Sequence, residues 1–398
     1  MDETVASDQT FMTSRTRWTV ILISTPLVAF VIVGGLLGQA VAKEGSYPHL
    51  RIFEDVMALI LGNYVEEVKV DKVMDGAMRG LAEGLDAESA YLTPTEVKTL
   101  ERNTAPAPGT PGLELTRQYY LRVVSARDGS AAAKAGIRTG DSVRAIDGQP
   151  TRNMSALEGM RLLHGAVGSK VTLTVLRDSL ADPHEVTLVR EAEPAGDVTT
   201  KMQAPGVGYV RIAAFGPNTA SKLQSQVASL TKGGAAKLII DLRGTAQGSI
   251  DEGIKAARLF VPTGQIATLE ARGQGNTIHR AQKGDGGITT PVMLLSTTGT
   301  SGAAEVFAAA LLDNKKATLI GEHTLGRAGI QKLVKLPDGS GLWMTWARYL
   351  SPTGVVIHGT GLNPSVEVEE PDVEFGDAPK SDPILDKAVE QATQKAAA

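Results

Sequence analysis

The chain has 398 residues, room for two or three domains of ordinary size, and no cysteine, which excludes disulfides, thiolate metal sites and cysteine nucleophiles. Its formal net charge of −4 gives no sign of the basic face that a nucleic-acid partner calls for, and no such partner is expected. With 42% hydrophobic and 21% charged residues it has the composition of an ordinary folded protein, and its 43 glycines point to many turns and close backbone approaches.

Arg15 and Arg17 precede an uncharged, mostly apolar run at residues 18–40. That is the length of a spanning helix. The arginines predict residues 1–17 in the cytoplasm and 18–40 as a transmembrane anchor. The rest of the chain is then exported to the periplasm or extracytoplasmic space, tethered to the inner (cytoplasmic) membrane by a single pass. Ala40-Val41-Ala42 has the small-x-small pattern of a leader cleavage site, so a signal segment at 18–40 remains the alternative.

Residues 44–104 read as helical. Phe53, Val56, Met57, Leu59 and Ile60 recur at helical spacing, and a second amphipathic run covers 73–85. Thr93-Pro94-Thr95-Glu96 has the form of a capping box with proline at the first helical position. Residues 105–112, with three prolines and two glycines, read as a linker.

Residues 113–192 change rhythm to short β-rich runs, with a turn signal at Asp147-Gly148 and one helical pattern at 155–164. The runs Gly129-Ser130-Ala131-Ala132-Ala133-Lys134-Ala135-Gly136-Ile137, Gly140-Asp141-Ser142-Val143 and Ile146-Asp147-Gly148 resemble a PDZ domain. Such a domain adds an extended peptide as a strand and holds its terminal carboxylate in backbone amides. By that resemblance Gly112, Leu113, Glu114 and Leu115 form the peptide-binding loop and receiving strand. A β module that packs on its neighbour and binds nothing is the plainer alternative.

From residue 200 to 370, strands alternate with helices, which implies an α/β core with parallel pairing. The remaining 371–398 read as a loose acidic tail with one short helix near 384–392. There is no HExxH and no Walker loop, and the six histidines are scattered, so no metal site and no cofactor is expected.

The order of parts resembles the C-terminal processing peptidases, or tail-specific serine proteases. Leu81-Ala82-Glu83-Gly84-Leu85-Asp86, Tyr91-Leu92-Thr93-Pro94, Asp241-Leu242-Arg243 with Gly248, Gly321-Glu322-His323-Thr324-Leu325-Gly326, and the stretch 347–364 carry the likeness. The fold class it implies is an α+β multi-domain chain: an N-terminal helical segment, a PDZ domain, an α/β protease core of that type and one N-terminal transmembrane helix.

The family cuts proteins near their C-termini with a serine nucleophile and a lysine base. The serine stands three positions before a glutamate that opens a helix, and in Gly299-Thr300-Ser301-Gly302-Ala303-Ala304-Glu305 that position is Gly302. The lysine position holds Arg327, and Gln331 matches a glutamine that orients the lysine. Gly248 and Ala303 would supply the oxyanion amides. The turn at 243–248 departs from the family's Asn- and Gly-rich form. Glycine has no attacking atom, and arginine stays protonated, so neither acts in the family chemistry.

The expected function is that of a pseudoprotease of the cell envelope, a binding protein for C-terminal segments of exported proteins. It would act as a homodimer formed through the helical segment or in complex with an active relative. One rival is a serine endopeptidase using Ser301 with Lys332 or His323 as base. Against it, Ser301 is one residue, or ~100° of helix, away from the nucleophile position, where capping or turn bonding is the simpler role. The other rival is a purely structural envelope protein. Arg327 is expected to neutralise a buried carboxylate or to clamp a peptide's terminus.

Overall fold

The structure, a computed structural model, describes residues 47–102, 107–177, 182–192, 197–377 and 379–394. The apolar segment at 18–40 lies outside them, and among the described residues no helix is long and apolar enough to cross a membrane. The chain divides into two compact units at Met74/Asp75. The first holds α1 (Tyr47–Asn63) and the opening turn of α2 (Val70–Glu83). Leu50, Ile52, Phe53, Val56 and Leu59 of α1 are exposed.

The second unit begins with the rest of α2, then β1 (Ala90–Leu92) and α3 (Pro94–Arg102). The capping box forms: the Glu96 carboxylate accepts the Thr93 N–H at 2.7 Å, and Thr93 Oγ1 accepts the Glu96 N–H at 3.4 Å. Strand β1 was not foreseen in a helical segment. Ala90, Tyr91 and Leu92 are all buried, and pairing with a core strand satisfies their backbone where a third helix turn would not.

Next come β2 (Gly109–Thr110), β3 (Leu113–Arg117), β4 (Leu121–Ala126), α4 (Ala131–Lys134), β5 (Ser142–Ile146), β6 (Gln149–Pro150), α5 (Ala156–Leu163), β7 (Lys170–Leu176), β8 (His184–Val189) and β9 (Glu191–Ala192). An antiparallel sheet runs β3-β4-β5-β7-β8, with β6 paired to β5. Its alternating apolar positions meet α4 and α5 around Leu113, Leu115, Leu121, Val143, Ile146, Leu163 and Leu173. Ser130 and Ser155 cap the two helices, accepting the N–H of Ala133 and Glu158.

Half of the expected linker is instead built into the fold. Gly109 exchanges backbone hydrogen bonds with Gly165 at 2.9 Å, and β2 pairs with β9, closing the module where the chain enters and leaves it. A side chain at Gly109 would stand 2.7 Å from the Gly165 carbonyl oxygen, so only glycine allows that approach.

The core contains β10 (Val198–Ala204), β11 (Val207–Ile212), α6 (Thr219–Lys232), β12 (Lys237–Asp241), α7 (Ile250–Arg258), β13 (Gln265–Ala271), β14 (Thr277–Arg280), β15 (Val292–Ser296), α8 (Ala303–Asp313), β16 (Ala317–Gly321), β17 (Gly329–Lys335), β18 (Gly341–Leu350), β19 (Val366–Glu367) and α9 (Pro383–Thr393). One sheet runs β10-β11-β12-β15-β16-β19 and is parallel from β11 onward. Residues on alternate sides of its strands feed two clusters. Val210, Leu238, Ile240 and Leu294 meet α6, α7 and α8, while Ile239, Met293, Leu295 and Ile320 meet α9. Burial on both faces explains the unbroken run Leu238-Ile239-Ile240. In the second sheet β18 pairs with β1, β13 and β17.

The tail is not loose. Arg177, fixed by two bonds to the buried Asp141 carboxylate, donates to the carbonyls of Val373 and Glu374. The Phe375 ring stacks 4.3 Å from His184, and Arg138 donates to the Asp377 carbonyl at 2.8 Å. Residues 373–377 therefore lie on the β3–β8 module. The chain then returns to the core through α9, whose Asp382 cap binds the Arg243 guanidinium at 2.7 and 3.0 Å. Composition hid the contact at 373–377 because a single apolar side chain, Phe375, carries its packing.

Ile384 is fully buried beneath the sheet. Ile384→Ala is expected to cost about 2–5 kcal/mol. Urea denaturation reads this directly, and a loss below ~0.5 kcal/mol, the range of exposed sites, would show that α9 is not docked in solution.

Candidate active site

Two turns at the carboxyl ends of parallel strands build the site: 242–248 after β12 and 297–302 after β15. Such strand ends are the usual crevice of an α/β sheet. They are laced together. Thr300 Oγ1 donates to the Leu242 carbonyl at 2.9 Å, the Ser301 N–H donates to the Thr245 carbonyl at 3.0 Å, and Thr245 Oγ1 donates to the Ile212 carbonyl. Gly248 has φ 116°, and a Cβ there would overlap the Phe215 backbone at 2.4 Å. Ala303 opens α8, and Gly253 of α7 abuts its carbonyl oxygen. Gly248 and Ala303 thus stand at the starts of two helices packed on each other.

Gly302 precedes α8 with φ 62° and ψ −116°. Among the described residues, its chain neighbours aside, the only heavy atom within 4 Å of a Cβ built there is the Arg327 carbonyl oxygen, at 3.6 Å. The space for a side chain exists, and the side chain does not. Glu305, one turn into α8, is fully buried and ties this point to the next loop. One carboxylate oxygen accepts the Gly302 N–H at 2.9 Å and the Arg327 N–H at 2.8 Å; the other accepts the Gly326 N–H at 2.6 Å and the Thr324 hydroxyl. Burial pushes its carboxyl up, and these donors pull against the rise.

The structure therefore brings Gly302 and Arg327 together. The Arg327 side chain, 23% exposed, does not act on Gly302. Its Nε lies 3.1 Å from Glu88 and its Nη1 3.1 Å from Glu114. Glu88 comes from the loop between α2 and β1, and Glu114 from β3, so one guanidinium joins the helical segment, the PDZ-like module and the core. Thr116 Oγ1 donates to Glu88 at 2.8 Å and fixes it further. Burial alone would lower the guanidinium pKa, but the two carboxylates outweigh it and hold the proton more firmly. Burial pushes the Glu114 carboxyl up against the pull of Arg327, and the Glu88 charge adds to the rise. Of the two roles expected for Arg327, neutralising buried carboxylates is the one seen.

Gln331 makes no hydrogen bond to Arg327. Its Nε2 donates to Thr345 Oγ1 at 3.3 Å across the β17–β18 pair. Ser301 is 1% exposed and its hydroxyl has no hydrogen-bond partner among the described residues. This corrects the capping and turn-bonding role expected of that hydroxyl. The helix begins one residue later, with Gly302 as its cap position, and Glu305 meets the cap amide from inside the helix. Neither supposed base reaches Ser301. Lys332 is exposed, its ammonium 4.7 Å over the Trp346 ring, and His323 is exposed too.

Gly112, with φ 79°, would place a Cβ 2.2 Å from that of Ser130 and must be glycine. Leu113 and Leu115 are fully buried in the module's own core, and Glu114 is the residue of β3 that reaches Arg327. Glu88 was not legible in the sequence, because nothing local marks a loop glutamate as the partner of a residue so distant in the chain.

Residues 206–368 match the profile of Peptidase family S41, and residues 122–177 that of a PDZ domain. A carboxy-terminal-processing protease of Bartonella bacilliformis is 30% identical over 83% of this chain and 77% of its own. The carboxy-terminal processing protease CtpA of Bacillus subtilis is 30% identical over 85% of this chain and 72% of its own. Among solved structures, the photosystem II D1 C-terminal processing protease superposes with a TM-score of 0.65 at 31% identity, covering 78% of this chain and 85% of that one. The PDZ domain, the α/β core and these likenesses together place the chain in peptidase family S41, among the carboxy-terminal-processing proteases.

Proposed function

We propose that this member of the family is a pseudoprotease of the cell envelope that binds C-terminal peptide segments of exported proteins without cutting them. One observation carries the reading: the nucleophile position is an empty glycine, and the base position is an arginine already bound to Glu88 and Glu114. A hydroxyl needs a neighbour able to take its proton, and a guanidinium held by two carboxylates cannot be that neighbour. The edge strand β3 and its glycine loop support peptide binding, since such an edge accepts an added strand. The basic flank and apolar run at 15–40 support a single-pass anchor in the inner membrane, with the bulk of the chain outside the cytoplasm. The exposed apolar side chains of α1 support association with a second copy or with an active relative.

The test is a gel assay of the purified full chain with an unfolded protein substrate. Cleavage is expected at least about 10⁴-fold below that of an enzyme with an intact dyad. Robust cleavage that vanishes in Ser301→Ala would overturn the proposal in favour of an active endopeptidase. A titration with peptides carrying free C-termini separates a binding protein, which saturates, from a structural one, which does not respond.

A further inference from the structure

Strand β3 is the edge of the PDZ sheet, paired to β4 on one side only. An edge amide seeks a partner, and in a free peptide groove that partner is water or the ligand. Here the Leu115 N–H donates to the Met160 sulfur at 3.3 Å, and Leu115 is fully buried. Met160 belongs to α5, which lies along β3. The adjacent Gly159 is pressed so close that a Cβ there would stand 2.2 Å from the Leu121 side chain and 3.5 Å from that of Leu115. At the loop end the Gly112 N–H is already given to Thr110 Oγ1 at 3.1 Å. Two groups that a ligand strand would use are thus engaged by the protein's own side chains.

We infer that Met160 is the internal occupant of the peptide groove, and that an extended peptide enters by replacing the Met160 sulfur at the Leu115 amide with one of its own carbonyl oxygens. Thioether sulfur is a weak acceptor, so a carbonyl outcompetes it at that amide. The unbranched methionine side chain can swing away without rebuilding the helix. The open groove is then a minor state, and the apparent affinity is reduced by its population. The inference rests on the peptide-binding reading above and names the residue that limits it.

The experiment uses the full chain in detergent and a fluorescein-labelled hexapeptide with an apolar last residue and a free carboxylate, with its amidated twin as control. Met160→Ala removes the occupant; Met160→Leu keeps its bulk and removes the acceptor. Met160→Ala is expected to bind the peptide about tenfold more tightly than the parent, by raising the open population. In both variants the Leu115 amide is expected to exchange with deuterium about tenfold faster, while β7 amides are unchanged. Equal affinity of parent and Met160→Ala, or unaltered Leu115 exchange in both variants, overturns the inference. If no form binds the peptide, the binding function fails, and Leu115 exchange alone decides whether Met160 fills the groove. Should Met160→Ala loosen β7 as well, the Leu115 exchange rate in Met160→Leu decides the matter.

Discussion

Gly302→Ser combined with Arg327→Lys is expected to bring back cleavage of an unfolded protein, while each single change leaves the chain silent. The geometry admits the hydroxymethyl group, because among the described residues beyond its chain neighbours a Cβ at 302 meets nothing closer than a carbonyl oxygen at 3.6 Å. The φ of 62° costs a serine there about 1–3 kcal/mol of backbone strain. The base is the harder part. A lysine in place of Arg327 inherits Glu88 and Glu114, and nearby carboxylates raise an ammonium pKa. The lysine therefore stays mostly charged, and the double variant is expected to be slow. Adding Glu88→Gln and Glu114→Gln removes that restraint and should raise the rate by a further ~10–100-fold. Initial rates from a gel or fluorogenic assay distinguish these steps. A single variant as fast as the double would sink the dyad logic. Silence of the quadruple variant would show that the site lacks more than these side chains, with the turn at 243–248 the first suspect.

Arg327→Ala is expected to be the most damaging single truncation for stability. It strands two carboxylates whose side chains are only 10% and 16% exposed. Breaking a buried pair from one side costs about 3–5 kcal/mol, because the remaining charge has no partner. The loss also has a pH signature. The Glu114 carboxyl is raised in the fold, and losing the cation raises it further. A carboxyl with a folded pKa above its unfolded value binds its proton more tightly when folded. Stability then falls as pH climbs from the unfolded pKa through the folded one. The deficit of Arg327→Ala against the parent should therefore be larger at pH 8 than at pH 5 in urea denaturation. Glu88→Gln with Glu114→Gln should recover most of it. A deficit under ~1 kcal/mol at both pH values would mean that the guanidinium acts as a surface charge.

Gly302 and Arg327, which the family resemblance assigns to the serine and lysine positions, were legible because the runs that carry the likeness lie beside them: the small-residue run ending at Glu305, and the Gly-Glu-x-Thr-x-Gly run before Arg327. The core strands were legible because burial on both faces demands unbroken apolar runs such as Leu238-Ile239-Ile240. Three features were not. Strand β1 is three residues long and sits between helices, too short for any period to show. The partners of Arg327 lie in two other parts of the fold, and charge alone does not say which arginine meets which glutamate. The orphaned Ser301 hydroxyl depends on where α8 starts, and a one-residue difference there decides what the side chain faces.

The stretch from Val373 to α9 bears on the history of each molecule as well as its finished form. As the chain emerges with its N-terminus first, all the strands of the PDZ sheet and of the core precede this stretch. Each has its own apolar cluster, and the sheet face that α9 covers waits for that helix. The staple across them is set last, when Phe375 reaches His184 and Asp382 reaches Arg243. A newborn chain therefore passes through an interval in which the strands of both bodies have been made but are not yet fastened by it.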